Sequence, residues 1–86
     1  MIARETISFY IERVITDISD EHLSDADEGL RTLIELVSNL PAEHPATGIT
    51  DILVLADKAL EDDLLELAEE HLHHALRIIE SQLAHV

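Results

Sequence analysis

The sequence predicts an all-α fold, specifically a small up-and-down four-helix bundle, from three observations. Apolar residues recur at the i, i+3, i+4 spacing of amphipathic helices. The 86 residues include only two glycines and two prolines, so few positions interrupt a helix. The apolar residues are mainly Leu, Ile, Val and Ala, with Phe9 and Tyr10 as the aromatics, which is typical of an aliphatic core between helices. At this length residues 1–86 should form a single domain around one modest core.

The first helix is predicted over residues 3–19. Its apolar stripe consists of Ala3, Ile7, Tyr10, Ile11, Val14, Ile15 and Ile18. Phe9 does not belong to this stripe, because the helical period places it beside Glu12 and Arg13 on the opposite side. The pattern therefore predicts an exposed aromatic, and an exposed aromatic is a candidate anchor for a partner or a second copy.

The second helix is predicted over residues 25–40. Ser24 resembles an N-cap, and Asp25 and Asp27 follow where the helix dipole favours negative charge. Pro41 should end the helix, because it restricts Leu40 and cannot continue the hydrogen-bond ladder. The predicted buried face consists of Ala26, Leu30, Leu33, Ile34, Val37 and Leu40. Residues 41–49 hold both prolines and one glycine and are predicted to form a loop.

The last two helices are predicted over residues 50–61 and 63–84, with Thr50 and Asp51 as an N-cap. Their apolar faces differ by roughly 100°, which favours a break between them. Asp63 and Glu66 match a capping box at that break. The predicted buried face around the last helix is Leu60, Leu64, Leu67, Ala68, His71, Leu72, Ala75, Ile78, Ile79 and Leu83. No internal repeat is expected.

An alternative is one unbroken helix over residues 50–84. The chain would then have three helices, and the long C-terminal helix would complete its core by forming a dimer.

The composition is strongly acidic. Nineteen Asp and Glu against five Lys and Arg give a formal net charge of −14. This charge weighs against nucleic acid and against anionic membranes, since both attract basic surfaces. An acidic surface instead favours a basic surface on another protein. We therefore expect a small acidic protein–protein interaction module, such as an inhibitor, an immunity or antitoxin-like protein, or an adaptor.

The candidate partner-binding residues lie on the predicted outer faces of the first, second and last helices. They are Phe9, Glu12, Asp17, Glu28, Glu35, Glu66, Glu69, Glu70 and His73. An alternative function is a metal-binding helical oligomer, because Glu70 and His74 form an i, i+4 pair on one flank of a helix. A third alternative is a structural homodimer. No cofactor is expected beyond an adventitious or structural divalent metal, and His71, on the predicted buried face, could act as a pH switch.

No arrangement of a catalytic nucleophile with its base is evident, and there is no Gly-rich phosphate loop, so we expect the protein not to be an enzyme. Cysteine is absent, which excludes disulfides and zinc–thiolate sites. No stretch approaches the roughly 18 apolar residues of a membrane span. A cytoplasmic location is the resulting expectation.

Two short segments, Glu43-His44-Pro45 and Asp51-Ile52-Leu53, together with the size and acidity, resemble the small helical immunity proteins that neutralise nuclease bacteriocins. The resemblance is confined to these segments. The chain lacks that family's tyrosine pair, and its C-terminal helix departs from the family pattern. The resemblance implies an acidic inhibitor of a basic protein and does not assign the chain to the family.

Overall fold

Four helices make up the chain where a computed structural model describes it, over residues 4–40 and 48–84. They are α1 (Arg4–Ser19), α2 (Leu23–Ser38), α3 (Thr50–Glu61) and α4 (Leu65–Ala84). Each helix contacts the next one along the chain, and α4 also contacts α1, which closes the ring of a four-helix bundle. The predicted fold is confirmed, and residues 50–84 form two helices rather than one. Residue 3 of the predicted first helix and the predicted loop at 41–47 lie outside the described residues.

The core is aliphatic and receives side chains from all four helices and from Ile49, which immediately precedes α3. No polar or charged residue is buried in the described part of the chain. The buried side chains are Ile7, Ile11, Val14, Ile18, Ala26, Leu30, Leu33, Val37, Ile49, Leu53, Ala56, Ala59, Leu60, Ala68, Leu72, Ala75 and Ile79. These positions follow the 3-4 spacing that the sequence predicted, so burial of one apolar stripe per helix stabilises the bundle.

The connection between α1 and α2 is a tight turn closed by backbone hydrogen bonds. Glu21 has a positive φ of 62°. Its N–H donates to the carbonyl of Ile18 at 3.1 Å, and the N–H of His22 donates to the carbonyl of Asp17 at 2.8 Å. This pair of bonds defines a Schellman motif, in which a residue in the left-handed conformation ends the helix.

The connection between α3 and α4 has the same form. Asp63 has a φ of 63°. Its N–H donates to the carbonyl of Leu60 at 3.1 Å, and the N–H of Leu64 donates to the carbonyl of Ala59 at 2.8 Å. The predicted break between α3 and α4 is therefore confirmed, but the predicted cause is wrong. Asp63 ends α3 instead of capping α4, and the predicted capping box with Glu66 does not form.

The predicted caps of α2 and α3 are also wrong. Helix α2 begins at Leu23, so Ser24 lies inside it. The Schellman turn places His22 at the N-cap position, where its backbone carbonyl accepts the first hydrogen bond of the helix. Ile49 occupies the N-cap position of α3, ahead of Thr50, without a side-chain capping bond. At its C-terminus α2 stops at Ser38, two residues before the predicted end, with Asn39 as its C-cap.

The two helix pairs form a structural repeat that the sequence interpretation missed. We call α1–α2 the first hairpin and α3–α4 the second hairpin. Every buried residue of the first hairpin has a buried counterpart 42 positions later, from Ile7 and Ile49 to Val37 and Ile79. The two left-handed residues, Glu21 and Asp63, obey the same offset. Residues 20–30 (DEHLSDADEGL) and 62–72 (DDLLELAEEHL) carry the correspondence in sequence. The bundle is thus two equivalent helical hairpins packed together.

Candidate functional site

The nine residues predicted to contact a partner lie on the outside of the bundle, although not in one patch. Asp17 and Glu69 are half-buried and the other seven are exposed. They are distributed over α1, α2 and α4, so the structure does not bring them together. Phe9 is 59% exposed, which confirms its predicted position off the apolar stripe. The aromatic rings of Phe9 and Tyr10 pack edge to face, with 6.0 Å between their centroids.

An open groove follows the outer seam of the first hairpin. Its volume is about 380 Å³. Helix α1 lines it with Tyr10, Arg13, Val14 and Asp17, and helix α2 lines it with Asp25, Glu28, Gly29 and Thr32. Three carboxylates face one guanidinium there, and Arg13 makes no ion pair with any other described side chain. The groove therefore joins two predicted partner residues, Asp17 and Glu28, in an acidic recess that suits a cationic side chain.

Gly29 sets the depth of this groove. A Cβ at Gly29 would lie 3.3 Å from Cγ2 of Val14, so the missing side chain lets α1 and α2 approach closely. The corresponding residue in the second hairpin is His71. The prediction that His71 lies on the buried face needs correction, because the imidazole is only half-buried. It belongs to the flank of α4 rather than to the core.

Most surface carboxylates have no cation beside them. Among the described residues Arg31 alone forms ion pairs, with Asp27 at 3.3 Å and with Glu61 at 3.7 Å. Glu69 is held by a neutral partner, since the Ser19 hydroxyl donates to its Oε1 at 3.1 Å and links α1 to α4. The remaining exposed carboxylates leave a negative potential around the bundle.

Asp57 is a carboxylate placed unfavourably at the seam between α2 and α3. It lies on α3 near Asp27 and Arg31 of α2 and near Glu61 of its own helix. Its Oδ1 is buried without a hydrogen-bond partner. Burial, together with the negative charges of Glu61 and Asp27, raises the pKa of Asp57, and Arg31 offsets only part of this. The corresponding residue in the first hairpin is Ile15, so the fold itself does not require an acid here.

The two residues proposed as metal ligands, Glu70 and His74, are both exposed on α4, one helical turn apart. In the described part of the chain no group of three or more His, Asp or Glu side chains is arranged to hold a metal ion. Any site built on this pair would need ligands from another molecule.

Exposed large apolar residues are concentrated on the second hairpin, and the sequence interpretation missed this. Leu64 and Leu67 were predicted to be buried, yet they are 50% and 40% exposed. Leu64 belongs to the turn rather than to α4, and Leu67 lies on the flank of the first helical turn. Val54 and Leu55 are also about half exposed. The 42-residue correspondence could have revealed the set, because the matching residues are Glu12, Arg13, His22 and Asp25.

None of the described helices is long and apolar enough to cross a membrane. In comparisons with known proteins, no family model, no curated protein and no solved structure matches the chain. The fold and the surface define the class of this protein as a small acidic four-helix bundle.

Proposed function

We propose that this protein is a small acidic interaction module that binds a basic surface on another protein, as an inhibitor, an immunity or antitoxin-like protein, or an adaptor does. One observation carries the proposal. Of the described carboxylates, only Asp27 and Glu61 pair with a cation, so most of the formal charge of −14 is uncompensated at the surface. Uncompensated charge destabilises a compact domain through self-repulsion, and attraction of a cationic partner would offset that cost.

The proposed role is binding without catalysis, in the cytoplasm, with no resident cofactor and no nucleic acid or membrane as partner. The acidic groove of the first hairpin supports it, because Asp17, Asp25 and Glu28 converge around a recess large enough for a lysine or arginine side chain. Binding of a cationic side chain of the partner in that recess would be electrostatic. It would therefore increase the association rate as well as the affinity.

The experiment is capture of partners from a cell extract with the purified 86-residue chain at low and at high salt. We expect a basic protein whose recovery falls as salt rises, because salt screens attraction between exposed charges. Two variants with the same charge change then locate the contact. One is Glu12→Gln, Glu28→Gln and Glu35→Gln on the first hairpin, and the other is Glu66→Gln, Glu69→Gln and Glu70→Gln on the second.

We expect at least one of these triple variants to bind the captured protein on the order of tenfold more weakly than the wild type. A partner that is recovered equally at low and high salt, and equally by both variants, would contradict electrostatic recruitment. In that case the charge would serve solubility alone.

A further inference from the structure

We propose that the outer face of the second hairpin docks an amphipathic, basic helix of the partner protein. This inference rests on the proposed function and specifies where the partner binds and what its chemistry is. The face is defined by Leu55, Leu64 and Leu67, three large apolar side chains that are 40% to 50% exposed. Exposed apolar residues that occur singly are ordinary, whereas a contiguous group marks an interaction surface.

The packing of the first hairpin indicates that Leu55 and Leu67 flank one seam, because Arg13 and Asp25, the residues 42 positions earlier, line one groove. Leu55 lies one helical turn before Ala59, so both side chains lie on the same side of α3. The N–H of Leu64 bonds to the carbonyl of Ala59 at 2.8 Å, which fixes the turn at the C-terminal end of α3. Leu64 and Leu67 together line a shallow depression of about 440 Å³ at the start of α4. An apolar stripe therefore runs from α3 across the turn onto α4.

The first hairpin is an internal control for this stripe, because it has the same core positions and the same turn. Its residues at the matching positions are Arg13, His22 and Asp25, all of which are polar. Its Schellman turn closes at the same two bonds with Asp17 and His22 in place of Ala59 and Leu64. Neither the turn nor the core thus requires leucine at these surface positions. The presence of these leucines on the second hairpin points to a role in binding.

The charge around the stripe selects the occupant. Residues 51–70 contain eight Asp and Glu and a single lysine, Lys58. Three of these carboxylates, Asp57, Glu61 and Glu69, face α2 or α1, and the other five remain on this hairpin. A second copy of this chain would bring the same acidic rim to the interface, and like charges in apposition oppose binding. An anionic membrane would be repelled for the same reason. A segment that combines leucine-like side chains with lysine or arginine satisfies both the stripe and its rim.

The segment is a helix because every element in the described part of the chain is a helix, and strand addition needs the edge of a sheet. A helix lying along the seam between α3 and α4 would place its apolar residues at i, i+3, i+4 and i+7 on the stripe. Basic residues on its flanks would meet Glu66 and Glu70, which are exposed beside the depression.

The test uses two synthetic peptides of identical leucine and lysine composition. In the patterned peptide the leucines line one face of a helix, and in the scrambled peptide they are distributed around it. We expect the 86-residue chain to bind the patterned peptide at least about tenfold more tightly than the scrambled peptide, because only the patterned peptide can bury its leucine side chains on the stripe. The variant Leu55→Ser with Leu67→Ser should lose this preference. The control Val54→Ser, which removes a similarly exposed apolar residue from the α2 side of α3, should keep it.

Amide chemical shifts of the wild-type protein give a second readout that needs no variant. The patterned peptide should perturb the face of the second hairpin, residues 52–70, and leave the groove of the first hairpin unperturbed. Perturbation centred on that groove instead would overturn the inference.

The remaining outcomes separate the two proposals. Equal, salt-sensitive binding of both peptides would overturn the docking face and leave the proposed function intact. Binding of neither peptide would count against both. If light scattering of the protein alone shows a dimer that Leu55→Ser with Leu67→Ser dissociates, a second copy covers the stripe and the inference is wrong.

Discussion

Replacing either left-handed residue with glycine should stabilise the protein. Glu21 and Asp63 have φ values of 62° and 63°, in the region that glycine adopts without a steric penalty. Both residues occupy the position at which Schellman motifs usually carry glycine. We therefore expect Glu21→Gly and Asp63→Gly each to raise the free energy of unfolding.

The magnitude follows from two opposing terms. A non-glycine residue in the left-handed region costs roughly 1–2 kcal/mol. Glycine loses more backbone entropy on folding, which costs roughly 0.5–1 kcal/mol. The midpoints of these two ranges give a net gain of about 0.75 kcal/mol per turn. Each turn is closed by its own backbone hydrogen bonds, so the double variant should gain about 1–2 kcal/mol, since independent sites add.

Urea denaturation followed by circular dichroism at the helical band measures these differences. Asp62→Gly is the matched control, because it makes the same change of residue and charge one position earlier, where φ is −86°. Glycine offers no conformational gain there, and we expect a loss of up to about 1 kcal/mol. If Asp63→Gly lowers stability as much as Asp62→Gly does, Asp63 is not in the left-handed conformation and the account of the turn fails.

Three further predictions concern the seam, the groove and the core. Asp57→Asn should stabilise the protein by on the order of 0.5–1 kcal/mol at neutral pH, because the raised pKa of Asp57 makes the native state lose stability as the carboxyl ionises. The substitution should have little effect below pH 3.8, the ordinary pKa of an aspartate side chain, where the carboxyl is neutral in both states. Urea midpoints at both pH values test this, and an equal effect at both would refute it. Gly29→Ala gains about 1 kcal/mol of helix propensity, but the new Cβ crowds Val14. The substitution should therefore stabilise the Val14→Ala variant more than it stabilises the wild type, and a double-mutant cycle measures the difference. Leu72→Ala should lower the free energy of unfolding by about 2–5 kcal/mol because Leu72 is fully buried, whereas Leu67→Ala should lower it by less than about 1 kcal/mol. Equal losses for the two variants in urea denaturation would contradict the assignment of Leu67 to the surface.

Helix positions and the buried stripes of the first three helices follow from the sequence because one physical effect dominates them. Each helix must bury an apolar stripe, and the 3.6-residue period makes that stripe visible in the residue order. The break between α3 and α4 follows for the same reason, since their stripes differ in orientation. Phe9 falls outside its stripe and is exposed.

Caps and flank residues could not be predicted in the same way, because they depend on the turn that joins two helices. Ser24 and Asp63 have side chains that favour N-caps, yet backbone hydrogen bonds of two Schellman motifs fix the helix ends instead. Leu64 and Leu67 match the helical period of the α4 stripe. They are exposed because Leu64 precedes the helix and Leu67 lies at the edge of the stripe.

The candidate sites escaped prediction because they arise from pairs of helices. The groove needs Gly29 opposite Val14, and the apolar stripe needs the turn to bring Leu64 beside Ala59. A single helix shows neither. Comparison of the two halves of the chain at the 42-residue offset would have revealed both, since the same position holds Gly29 in one hairpin and His71 in the other.

Divergence between the two hairpins separates what folding demands from what binding demands. Positions that agree in both hairpins, such as Leu30 and Leu72 in the core, serve the bundle. Exposed positions that disagree are not dictated by the shared core, since each hairpin folds with a different residue there. Arg13 and Leu55 are such a pair, the first lining an acidic groove and the second an apolar stripe. Two equivalent surfaces have thus acquired opposite chemistry on one scaffold, which is the expected result if each contacts a different part of a partner.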